Sequence, residues 1–170
     1  DLGPEYGMEG VTFYTATSIY VTPTTLSGIT FNFLMSLSGG LLAGYWVSKG
    51  DPFWTYSGGL AGIITASAGN DLYHPLQAMM IAAFGTWCAY KLHYYVERKY
   101  KIDDAVGAVA VHGYAGVVGL LVCGFVLWGY PSSGYSAGSM WVGTDYAPIN
   151  PLGMFIGAII MFGLLGFLPG

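Results

Sequence analysis

Long apolar runs separated by short polar or charged turns organise this chain. The first runs from Thr24 to Ser48, with Asn32 as its most polar residue, and KGDP (Lys49–Pro52) ends it with charge and a proline. A glycine-rich run follows at residues 55–69, and NDLYHP (Asn70–Pro75) turns the chain into a third at 76–96. Glu97–Asp104 (ERKYKIDD) is the one charge cluster; beyond it lie a fourth run at 105–128, a polar loop at 130–148 and a last run at 152–168. Runs near 20 residues match the thickness of a bilayer crossed by a helix. The second run reaches only ~22 Å as a helix, so longer helices must screen it or a cavity must lie beside it. The pattern predicts an all-α integral membrane protein, a polytopic helix bundle spanning residues 24–170. Residues 1–23 read differently: VTFYTATSIYV is β-branched and aromatic, and an open strand cannot cross lipid. This segment is expected to be an external loop or cap.

Composition supports the membrane assignment. Of 170 residues, 54% are hydrophobic and 8% charged, against roughly 25% charged in soluble domains. Such a chain cannot cover a water-facing surface. The net charge of −4 comes without a basic patch, which removes nucleic acid from the expected partners. The basic residues are Lys49, Lys91, Arg98, Lys99 and Lys101, and the segments 1–23, 70–75 and 130–148 hold none of them. By the positive-inside rule the loops 49–54 and 97–104 are cytoplasmic. Cys88 and Cys123 lie in apolar runs and are expected to pack as small hydrophobes. The opening DLGPEYGMEG is acidic rather than apolar and reads like the interior of a longer sequence.

Candidate chemistry concentrates in Asp103–Gly119 (DDAVGAVAVHGYAGVVG). His112 is the ionisable residue within the apolar part, where such a group normally faces a bundle interior or an aqueous path. In an α-helical register Gly116, Gly119 and Cys123 share its face, and with Gly113 these small residues favour close helix contact or a narrow lumen. As a pore residue His112 offers one donor and one acceptor to a small polar solute. As a structural residue it bonds a neighbouring helix. As a metal or haem ligand it needs partners, and no HxxxH or Cys/His cluster occurs. Asp103 and Asp104 are expected to cap a helix N-terminus rather than serve as an acid/base pair. His74 and Asp71 fall on an external turn, and His93, flanked by Tyr90, Tyr94 and Tyr95, reads as an interfacial anchor.

The pattern DDxxGAxxVHGxxGxxG closely resembles the tenth transmembrane helix of the ammonium transporter family, and SGGLAG resembles part of the eighth. With KGDP these motifs place residues 24–170 on the last five of eleven helices, the second inverted half of that fold. The resemblance implies that His112 is one of two histidines lining a hydrophobic pore for ammonium or ammonia. It implies a homotrimer, with no enzyme activity and no cofactor. The other pore histidine and the outer cation site lie in the half that this stretch does not match, so other membrane segments must supply them. Gly107 stands where many members carry an aspartate. The alternative is a non-transporting structural or accessory subunit derived from the same fold.

Overall fold

The computed structural model describes residues 26–129 and 149–167, and among them every regular element is helical. The expected external segment 1–23 and the loop 130–148 lie outside the described residues. Helix α1 is Leu26–Ser48, α2 Pro52–Ala66, α3 Pro75–Tyr100, α4 Ala115–Val126 and α5 Pro151–Ile160. A 3₁₀ turn, Ser67–Gly69, prolongs α2. Two π-helical stretches complete the set: Val109–Tyr114 leads into α4, and Met161–Phe167 comes after α5.

Local chemistry sets the boundaries. α1 stops where Lys49 and Gly50 turn left-handed, at φ 59° and 89°. Asp51 at once restarts the helix, accepting the Trp54 N–H at 3.0 Å, while Pro52 fills the first helical position. α2 therefore begins at Pro52 rather than Thr55. α3 runs through Glu97–Tyr100 to a left-handed cap at Lys101, past the expected end at Val96. Arg98 and Lys99 in its last turn suit the negative pole of the helix. At 26 residues it is ~39 Å long.

Two polar ties give the topology. Asn32 of α1 donates to the carbonyls of Asn70 (2.8 Å) and Tyr73 (2.6 Å), so the start of α1 meets the turn between α2 and α3. At the opposite end Trp54 Nε1 donates to the Tyr94 hydroxyl at 3.1 Å, joining the start of α2 to the end of α3. Helices α1 to α3 thus run up, down and up. α4 starts beside the end of α3 and returns, and the Gly129 N–H donates to the Ile149 carbonyl at 2.9 Å, leading into α5. The ends of α1 and α3 lie together, so Lys49, Arg98, Lys99 and Lys101 gather at one end of the bundle.

The core is built from small residues. A Cβ on Gly40 would strike the backbone of Gly58, so α1 and α2 pack backbone to backbone. Thr86 of α3 donates to the Gly58 carbonyl at 2.8 Å. Ala61, Ala89, Val111 and Ala115 bring α2, α3 and the π turn together. A second cluster, including Leu72, Ile81, Cys123 and Leu127, closes the other end. Many other large apolar groups point outwards: Trp46 is 80% exposed, Met80 65% and Phe125 65%. Among the described residues Val109–Val126, with mean hydropathy 2.0, is the one helix long and apolar enough to cross a membrane by length and composition. The apolar stretch Pro151–Leu164 is shorter.

Candidate functional site

The sequence DDAVGAVAVHG builds a cap joined to a wide turn. The Gly107 N–H donates to the Asp104 carbonyl at 2.8 Å, and Gly107 has a φ of 65°, where a side chain is strained. This turn directs the first helical N–H groups at the Asp104 carboxylate. Val109 donates to Oδ1 at 3.1 Å and Ala110 to Oδ2 at 3.0 Å. Both carboxylate oxygens thus satisfy donors that a helix start leaves unpaired. Burial pushes the Asp104 carboxyl up, but the Ala110 and Val109 N–H groups, with His93 nearby, outweigh it and hold it below its ordinary value. Asp103 is exposed.

The cap opens into the six π-helical residues Val109–Tyr114, with His112 fourth among them. An i→i+5 turn holds more residues than an α turn, so it rotates the residues downstream of it relative to an α-helical register. His112 is exposed, whereas Gly119 and Cys123 are buried against α2. His112 thus does not share the face of Gly119 and Cys123. A Cβ on Gly119 would strike the Thr65 carbonyl, and Cys123 Sγ donates to the Ala68 carbonyl at 3.4 Å. Gly116 and Gly113 are looser: added Cβ atoms would lie 3.8 Å from Ile64 and 3.6 Å from Val109. Beside the π turn, Leu92, Tyr114, Val118, Leu121, Phe155 and Phe162 line an apolar groove of about 310 Å³ between α3, α4 and α5.

His93 sits where its sequence neighbours do not suggest. It is no interfacial anchor: it is 9% exposed and packs edge-on against Trp54 (5.1 Å) and Tyr94 (5.0 Å). Its Nδ1 lies 3.5 Å from Asp104 Oδ2, and its Nε2 lies 4.0 Å from Glu97. The signal is periodicity, because Ala78, Ala82, Thr86, Ala89 and His93 recur at steps of three or four along the buried stripe of α3. His74 caps α3 through Nδ1, which accepts the Leu76 N–H at 3.3 Å. Among the described residues no group of three His, Cys, Asp or Glu side chains is placed to hold a metal.

The described residues form an all-helical bundle with small-residue packing, apolar outward faces and one apolar helix of membrane length, which carries His112. The ammonium transporter family model matches residues 10–169, and the chain belongs to that family. It is 29% identical over 99 residues to ammonium transporter Amt1 of Methanocaldococcus jannaschii, covering 58% of this chain and 25% of that protein. Ammonium transporter Amt2 of the same organism is 34% identical over 95 residues, 54% of this chain and 22% of that protein. Ammonium transporter 1 member 3 of Solanum lycopersicum is 27% identical over 144 residues, 84% of this chain and 28% of that protein. The chain thus spans about a quarter of the length of these relatives. No solved structure matches it.

Proposed function

We propose that this chain forms part of an ammonium/ammonia transporter and that His112 lines its conduction path. The carrying observation is that His112, on the membrane-length apolar helix of a chain in this family, is left uncovered by the described helices. A neutral imidazole there offers a donor and an acceptor to ammonia. Stripping water from an ammonium ion is costly, so a dry histidine-lined path favours the neutral solute. Further membrane segments cover His112 and complete the pore, and the assembly is a homotrimer. The bundle is multi-pass, with the basic end at 49–54 and 97–104 facing the cytoplasm. Asp103 and Asp104 stand at the helix start, and Gly113, Gly116 and Gly119 serve helix packing near the path.

Methylammonium uptake into proteoliposomes holding the complete assembly tests this. Uptake that exceeds empty liposomes and falls in His112→Leu supports it. Uptake no greater than that of empty liposomes overturns it and points to the accessory subunit.

A further inference from the structure

His93 and Asp104 meet at the end of the bundle where α2 begins, α3 ends and the π turn starts. We propose that His93 is a positioning residue for His112, holding through Asp104 the turn on which His112 stands, and that protonation of His93 tightens this hold. The consequence for transport rests on the function proposed above; the geometry does not.

Asp104 is the joint. Its Oδ2 already accepts the Ala110 N–H at 3.0 Å and retains capacity for a second donor. His93 Nδ1 stands 3.5 Å from the same oxygen, yet it is buried and makes no hydrogen bond. Of the two neutral tautomers, the one protonated at Nε2 sets two acceptors against each other there, and the one protonated at Nδ1 offers only a neutral donor. A protonated imidazole donates at both nitrogens, and a charge-assisted bond to a carboxylate is about twice as strong as a neutral one. The groups facing His93 are uncharged Trp54 from α2, Tyr94 and Glu97 from α3 itself, and Asp104 from the loop. From Asp104 the effect passes to the N–H groups of Val109 and Ala110, the third and second residues before His112. It therefore reaches His112 through backbone rather than by contact.

Amide hydrogen exchange of residues 109 and 110 in the complete protein, corrected for intrinsic rates, reads the hold without any transport measurement. Protection in the wild type should rise about tenfold from pH 8 to pH 6, the scale of a hydrogen bond to a charged group. In His93→Gln that rise should vanish. A flat wild-type profile, or the same rise in His93→Gln, overturns the proposal; should the variant not fold, the wild-type series decides alone. Methylammonium uptake in the same preparations tests the positioning role. The ratio of wild-type to variant rates should change with pH as the protection does. Equal profiles, with the exchange difference present, overturn positioning of His112. Absent wild-type uptake is instead a failure of the transport assignment, which the exchange result leaves separately readable.

Discussion

The α1–α2–α3 packing and the π turn before α4 handle polar groups in opposite ways. Within the packed helices Thr65 donates to the Ala61 carbonyl and Thr86 to that of Gly58, both at 2.8 Å and fully buried. Hydroxyls are tolerated there because backbone carbonyls lie within reach and glycines let the helices close. On the π turn the polar side chain is exposed, and its neighbours Val109 (51% exposed) and Val106 (73%) are apolar and uncovered. The first region satisfies these hydroxyls within itself. The second leaves its polar side chain uncovered beside exposed apolar ones, as at an interface with protein or lipid. Substitutions should therefore cost stability in the first region and alter function in the second.

The largest effect is expected at Gly119, which belongs to the packed region although it lies on the same helix as the candidate pore stripe. Gly119→Leu drives a branched side chain into the Thr65 backbone, which cannot swing aside. Overpacking of this kind costs about 1–3 kcal/mol or more, and the detergent-solubilised assembly should unfold at clearly lower temperature. Gly116→Ala, one turn closer to His112, meets only ordinary contact and should be neutral or stabilising by up to about 1 kcal/mol. Equal losses at the two glycines would erase the boundary between the regions.

Two aspartates at opposite ends sharpen the comparison through pH. Asp104 is held below its ordinary value, so its contribution is present above the unfolded value and lost as pH falls through the lower folded one. Asp104→Asn should thus destabilise by about 0.5–2 kcal/mol at pH 7, with the difference shrinking below about pH 4. Asp71 has the opposite sign, because burial pushes its carboxyl up and its own backbone N–H offsets only part of that. Its contribution is present below the unfolded value and lost as pH rises through the raised folded one. Asp71→Asn should gain stability relative to the wild type as pH goes from 4 to 7. Thermal unfolding at both pH values checks the pair, and a shared sign would contradict it.

The same division explains how much is legible in the sequence. Helix runs, caps and glycine contacts obey local rules, so KGDP and DDAVGA announce the breaks at Lys49 and Asp104. Asp51 before Pro52 also carries a helix-start signature, which places α2 three residues earlier than its apolar run suggests. The π turn leaves no such mark. Apolar residues read equally well in i→i+4 and i→i+5 register, so the sequence sets His112 on the face of Gly119 and Cys123 when the fold rotates it away. His93 is easily misread because Tyr90, Tyr94 and Tyr95 imitate an interfacial belt. Only Tyr95 is exposed among them, whereas Tyr94 packs on Trp54 together with His93.

The smallest stability effect is expected at His112, and it bears most directly on function. Removing a buried hydrogen-bonding group strands its partner at about 1–3 kcal/mol. His112 is exposed on this chain, so His112→Leu strands no partner in the packed helices, and leucine forms helix at least as well. Its unfolding temperature should stay within the range of an ordinary surface substitution, about ±0.5 kcal/mol. Uptake per folded molecule should fall, because the donor and acceptor offered to a polar solute are gone. Thermal unfolding and methylammonium flux, measured on one preparation, separate the two roles. A large stability loss with flux unchanged would make His112 a structural contact to a segment outside the described residues. The π turn would then belong with the packed region rather than with the pore.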